Sequence, residues 1–355
     1  MKKIVSLLLA ALLALSAFTA CGNAGSAEEP TVPTTEAPTV NENPTETTEA
    51  VEEVSTQPEI LPNFVVMSGP TGVGAAKLIS DWEAGQSAVL ADAEIVTDNE
   101  AVKNALVSGS ADIAAVATNL AATLANKTDG GIQVLAVNTM GVLYILERGD
   151  SVHNMADLEG KTLYATGQGA NPEYILNYLL TMSGVDPSRV DIQWLSAQEI
   201  IVKMSTEEAG ICMLPVPAAT TLMVKCPEVR EAVSLTNAWA ELGNGALAQG
   251  CIVVRTEYAE QNPESVKAFL EAYAASLAYM KDPANLDDAA NLVAQYGIAA
   301  NVKVAKLAIP GCNLAFVTGN EMKEMLTGFY QVMYDADPAS IGGAMPGDAF
   351  YYGAG

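Results

Sequence analysis

Six residues, Gly69-Pro-Thr-Gly-Val-Gly, have the spacing of a loop that cradles phosphate, with glycines at 69 and 74 around a four-residue gap. Nucleotide chemistry then needs a lysine for the terminal phosphates and a hydroxyl for Mg2+. Positions 75 and 76 are both alanine, so the loop turns tightly but has no such grip. Gly167-Gln-Gly-Ala-Asn-Pro172 begins like a dinucleotide fingerprint, yet proline stands where the third glycine belongs. No Gly-x-Ser-x-Gly elbow is present. Any Cys–His pair must use His153, the single histidine, which lies in a polar loop without the neighbours that general-base work requires. Glu207-Glu208 and Asp287-Asp288 are adjacent along the chain, point to different sides, and read as solvated charge.

What remains is a set of loops, each following a strand and opening a helix: Pro70-Thr-Gly-Val-Gly, Thr118-Asn119, Gly167-Gln-Gly-Ala-Asn, Ser196-Ala-Gln and Pro215-Val-Pro. In open α/β sheets ligands bind at this edge. Helix N-termini there offer free N–H groups and a positive dipole end. The candidate ligand-binding residues are Thr71, Gly72, Val73, Thr118, Asn119, Thr139, Gln168, Gly169, Ala170, Asn171, Tyr174, Ser196 and Pro215. The five loops hold no Lys or Arg, which disfavours amino acids, whose carboxylate is commonly forked by arginine. A compact monoanion or a neutral polar heterocycle fits better, unless Arg148, placed at a hinge, reaches in. Trp194, Tyr174 and Trp239 could form a stacking wall, although burial in the core accounts for each more simply. No metal site and no cofactor is expected.

The elements that must position these loops alternate between strand-length apolar runs and helical periods, as in α/β layers on parallel sheets. Strands are predicted at Phe64–Ser68, Glu94–Thr97, Asp112–Ala117, Ile132–Val137 and Gly141–Glu147, with Thr118 capping a helix. A second cycle starts with a strand at Lys161–Ala165 and a helix from Pro172 to Met182. It continues with strands at Val190–Trp194, Ala209–Leu214, Ala232–Leu235 and Gln249–Arg255. From Pro263 the chain reads as mostly helical. The expected architecture is two lobes: 61–147, then 148–249, with 250–355 returning to the first. Crossings near 147–151 and 244–249 make a hinge, and ligand would be enclosed between the lobes. This reading requires a space between two half-molecules, ringed by main-chain amides. Cys212 and Cys251 fall in strands near the second crossing, where a disulfide or simple apolar packing is open.

The 355-residue chain carries 42 Asp+Glu against 17 Lys+Arg, and this net charge of −25 excludes nucleic-acid binding as a main role. Residues 1–20 read as a secretory signal: Lys2-Lys3, an apolar run to Phe18, then Thr19-Ala20 before Cys21. A cysteine at that point resembles a bacterial lipobox, which makes Cys21 a lipid anchor. From Gly22 to Ile60 there are nine Glu, eight Thr and five Pro, without Lys, Arg, Asp or any aromatic residue. Such a segment is expected to be a disordered tether. Removing the tether's nine acids and the two leading lysines leaves −18 for residues 61–355.

Three segments carry a family resemblance: Ala105-Leu-Val-Ser-Gly-Ser-Ala-Asp-Ile-Ala, Asp157-Leu-Glu-Gly-Lys-Thr-Leu and Asn262-Pro-Glu-Ser-Val-Lys-Ala-Phe-Leu. Through them the chain resembles substrate-binding lipoproteins of ABC importers with the type 2 periplasmic-binding fold. Within that fold it resembles the group serving nitrate, alkanesulfonates, taurine and thiamine-pyrimidine precursors. The resemblance implies a monomeric, lipid-anchored receptor on the outer face of the cell membrane, working with a permease and an ATPase and performing no chemistry. It also implies ligand contacts at Thr71–Gly72, Thr118–Asn119 and Gln168–Asn171. The Glu-Pro many members show after the second-lobe strand is Leu214-Pro-Val-Pro here. A pyrimidine-precursor synthase on the same fold and a sensory binding protein are the alternatives. The run Ile341–Tyr352 has no sequence-level interpretation.

Overall fold

The computed structural model describes residues 60–355. The signal, Cys21 and the tether lie outside the described residues.

The first lobe opens with β1 (Asn63–Met67), α1 (Pro70–Glu83), β2 (Asp92–Val96), α2 (Asn99–Ser108), β3 (Ile113–Ala117), α3 (Thr118–Lys127) and β4 (Ile132–Thr139). The second holds β5 (Leu143–Arg148), β6 (Thr162–Ala165), α4 (Asn171–Met182), β7 (Asp191–Trp194), α5 (Ala197–Thr206), β8 (Gly210–Pro215), α6 (Ala218–Lys225), β9 (Val229–Ser234) and α7 (Leu235–Glu241). The chain then returns through β10 (Gly250–Arg255), α8 (Thr256–Gln261), α9 (Pro263–Lys281), α10 (Leu286–Gln295), α11 (Val302–Ala308), β11 (Leu314–Val317) and α12 (Gly319–Ala336). Local chemistry sets several of these boundaries. Pro70 and Pro172 occupy first turns, where a missing N–H costs nothing. Asp98 accepts from the Glu100 N–H at the start of α2, and Ser196 with Glu199 forms a capping box on α5.

The first sheet has the order β11-β4-β10-β3-β1-β2, and the second β7-β6-β8-β5-β9. Both are mixed, not parallel as the pattern predicts. The cause is the crossing itself. A strand that arrives from the other lobe enters the sheet from its far end, so β10 runs antiparallel to β3 and β4, and β5 antiparallel to β8 and β9. Because β5 belongs to the second sheet, the first crossing is residues 140–142, not 147–151. The return lies between Glu241 and Gly250. β11 and α7 were not foreseen. Each is short, and β11 sits among helices just after Asn313, whose φ is +43°.

The first-lobe core stacks Phe64, Phe269 and Tyr273, with Phe64 and Phe269 centroids 5.1 Å apart. A second apolar cluster runs through both lobes. It joins β3, β4 and α12 to β5, β6, α4 and α7, with Trp239 between Tyr178 (5.2 Å) and Phe329 (5.7 Å). The four described cysteines are free and buried; burial pushes the Cys212 thiol up to about 12 and that of Cys251 further up. They pack as small apolar groups. His153 is exposed, near Asp150.

The C-terminal run is a strap over the first lobe. Ile341, Phe350 and Tyr351 are buried, Tyr351 bridges to Val134, and the Tyr352 N–H donates to the Val134 carbonyl at 3.0 Å. Asn126 Nδ2 donates to the Ile341 and Ala344 carbonyls, both at 2.8 Å. Removing the ring in Phe350→Ala is expected to cost about 3–5 kcal/mol through lost burial and a residual void. Guanidinium unfolding measures this, and a loss well under 1 kcal/mol would make the strap dispensable.

Candidate functional site

Helices α3 and α4 begin without a side-chain cap of their own. α3 follows Ala117 and α4 follows Ala170, and neither residue offers a capping side chain. Thr118, predicted as the cap of α3, is instead its first helical residue, with its hydroxyl turned away to donate to the Ala248 carbonyl at 2.8 Å. Each helix takes its acceptor from the other lobe. The Asn119 N–H donates to Asn171 Oδ1 at 3.2 Å, and the Asn171 N–H donates to Asn119 Oδ1 at 3.0 Å. Asn171 Nδ2 also donates to Thr118 Oγ1 and to the Gln249 carbonyl, each at 2.8 Å.

Gln249 is the hub of this network. Its carbonyl also accepts from the Thr118 N–H (3.2 Å), its N–H donates to the Thr139 carbonyl (3.0 Å), and its Oε1 accepts from the Val142 N–H (2.7 Å). Both crossings, β4, the start of α3 and the start of α4 therefore meet at one residue. Next to it, a Cβ on Gly250 would lie 2.8 Å from Asn138 Oδ1 and from Thr71 Cγ2, and 3.0 Å from Thr139 Cβ. Only glycine fits there.

Thr71, Thr118, Asn119, Asn138, Thr139, Asn171 and Gln249 are all at least nine-tenths buried, and none is charged. Two tyrosines border them. Tyr330 donates to the Thr118 carbonyl, and Tyr273 Oη accepts from Asn138 Nδ2, both at 2.8 Å. Burial drives both phenols up, so they stay protonated. Asn138 Oδ1, Thr139 Oγ1 and, by the first crossing beside Gly141, Thr236 Oγ1 have no hydrogen-bond partner among the described residues.

Of the residues singled out in the sequence, Thr71, Thr118, Asn119, Thr139 and Asn171 come together here. Gly72 lies behind Thr71, against the Met67 carbonyl and Ile298, and Val73 is fully buried in the first-lobe core. Ala170 is buried at the start of α4, and Gln168 and Gly169 are exposed. The Gly169 N–H is taken by Glu173 Oε2 at 2.6 Å. Tyr174 is half-buried against the cross-lobe cluster, its phenol pushed up by burial, then by Glu173 and Asp337. Ser196 is exposed and spent on its capping box; Pro215 pairs with Leu143 beside the first crossing. Arg148 does not reach the hinge. It ends β5 at the far side from the crossing, donating to the Glu207 carbonyl and pairing with Glu228. Trp239 is core, and Trp194 is half-buried against the same cluster.

The space expected between the half-molecules is closed at α3 and α4 by this polar network, and apolar contact joins the lobes along α4, α7 and α12. Two surface hollows, of about 500 and 430 Å³, lie elsewhere in the first lobe: one beside the strap, the other between α9 and β11. Asn138 and Gln249 were missed. The available signal was a lone polar residue ending or preceding an apolar strand run, in Val134-Leu-Ala-Val-Asn138 and Gln249-Gly-Cys-Ile-Val-Val.

The chain belongs to the NMT1/THI5-like family, which it matches over residues 91–285. Comparison with curated proteins gave no match. An ABC transporter protein from Parabacteroides distasonis is 21% identical, with TM-score 0.66, covering 82% of this chain and 98% of its own. The alkanesulfonate-binding protein SsuA from Xanthomonas axonopodis pv. citri, bound to MOPS, is 13% identical, with TM-score 0.61 over 80% and 94%. The periplasmic aliphatic sulphonate-binding protein SsuA from Escherichia coli is 15% identical, with TM-score 0.62 over 79% and 93%. The fold is the two-lobed type 2 periplasmic-binding fold that the sequence resembles.

Replacing Gln249 by Ala strands the buried Val142 N–H at the first crossing. A loss of about 1–3 kcal/mol is expected. Urea unfolding of Gln249→Ala checks it, and an unchanged midpoint would remove Gln249 from the hub.

Proposed function

We propose that the protein is an extracytoplasmic solute-binding receptor of an ABC importer, closing two lobes around a small polar or monoanionic ligand and handing it to a permease. The observation that carries this reading is the buried neutral cluster at the meeting point of the two crossings, where Asn138 Oδ1, Thr139 Oγ1 and Thr236 Oγ1 have no hydrogen-bond partner among the described residues. Buried polar atoms left unpaired are costly, and a bound solute is one way to satisfy them. Membership of the NMT1/THI5-like family and the fold shared with sulfonate-binding proteins support the same reading. Sulfonates, nitrate and pyrimidine precursors are the ligand types to test. The ligand is held through Thr71, Thr139 and the residues around Asn171, with Cys21 as the lipid anchor and the folded body a monomer. Among the described residues no helix is long and apolar enough to cross a membrane. Amides and hydroxyls at the cluster suit recognition rather than bond-breaking, which is why the receptor is preferred to an enzyme on the same fold.

A thermal-shift series with methanesulfonate, taurine, nitrate and aminopyrimidines tests this. A true ligand at a hundredfold excess over its Kd adds about 2.7 kcal/mol of stability. A flat response across that set and a broad small-solute library would count against the receptor, and conversion of a ligand detected by mass spectrometry would favour an enzyme.

A further inference from the structure

The mutual capping of α3 and α4 goes beyond the receptor reading and does not depend on which solute is bound. Helix N-termini expose N–H groups that need acceptors, and Ser, Thr, Asp or Asn at the cap normally supplies one. Four other helices keep that rule: Asp98, Ser196, Ser234 and Asn301 each cap their own helix. At α3 and α4 the cap is alanine, and the acceptor comes from the first turn of the helix in the opposite lobe.

Both amides have only one orientation that fits. Asn119 Nδ2 donates to the Ser340 carbonyl of the strap at 3.3 Å, which leaves Oδ1 facing the Asn171 N–H. Asn171 Nδ2 has two acceptors, Thr118 Oγ1 and the Gln249 carbonyl, which leaves its Oδ1 facing the Asn119 N–H. Exchanging oxygen and nitrogen in either side chain would set donor against donor. Both residues are buried, at 3% and 1% exposure, so water does not compete for these bonds while the lobes are shut.

We propose that Asn119 and Asn171 are a clasp that holds the lobes closed in the absence of ligand, each supplying the cap the other lobe's helix lacks. The clasp also occupies the N–H groups that a ligand anion would otherwise take at these two helix ends. A solute that uses them must first displace an asparagine carbonyl.

Amide hydrogen exchange and small-angle scattering on the ligand-free chain test this without knowing the solute. In Asn171→Ala the Asn119 amide should exchange at least about tenfold faster, and in Asn119→Ala the Asn171 amide likewise. The Ile252 and Val253 amides of β10 should be unchanged. Both variants should have a larger radius of gyration than the wild type, and the double variant should be no more open than either single one. The proposal is overturned if either amide ignores loss of the opposite side chain, or if protection falls while the scattering curve stays the same. Should the variants unfold, the wild type alone decides. One opening event frees both amides, so they must share one protection factor, and clearly unequal values refute the clasp.

Discussion

The molecule is organised around buried backbone N–H groups that find their acceptors across one junction. Where the chain passes from sheet to sheet and back, β4, β10 and two helix starts converge, and their N–H groups are buried together. A buried N–H without an acceptor costs about as much as a lost hydrogen bond. No helix at this point caps itself, so the acceptors come from across the lobe boundary: Asn119 and Asn171 for each other, the Gln249 carbonyl for Thr118 and Asn171, and Gln249 Oε1 for Val142.

That constraint explains several features that otherwise look unrelated. Gly250 must be glycine because Asn138, Thr71 and Thr139 already fill the volume around it. β10 must run antiparallel because it arrives from the second lobe. The C-terminal strap holds the outer side of the site, since the Ser340 carbonyl fixes the Asn119 amide and the buried Ile341, Phe350 and Tyr351 fix the strap. The network's own side chains are neutral, and its two flanking tyrosines are protonated donors or acceptors, not ions.

Much of this was legible in the sequence. The alternation of apolar runs and helical periods gave both α/β cycles, and Thr71, Thr118, Asn119 and Asn171, from three of the five βα loops, come together with Thr139 at the end of β4. Three kinds of information were not local. Strand direction depended on which lobe each strand arrives from, so the mixed sheets and the crossing at 140–142 were misjudged. Thr118 looked like a cap by its residue type, but its hydroxyl had stronger claims across the hinge. Asn138 and Gln249 carry no motif and matter only because the fold places both beside Gly250. The strap was opaque for the same reason, because its partners Asn119, Asn126 and Val134 are more than two hundred residues earlier in the chain.

The central claim is that a solute is enclosed between the two lobes, beside the hinge cluster, and leaves unchanged. A structure of the protein with a bound solute measures this most directly. The account predicts an intact molecule contacting both lobes within reach of Thr71, Thr139 and Asn171, and pairing at least one of Asn138 Oδ1, Thr139 Oγ1 and Thr236 Oγ1. A solute seated on one lobe alone, or found as a reaction product, would contradict it.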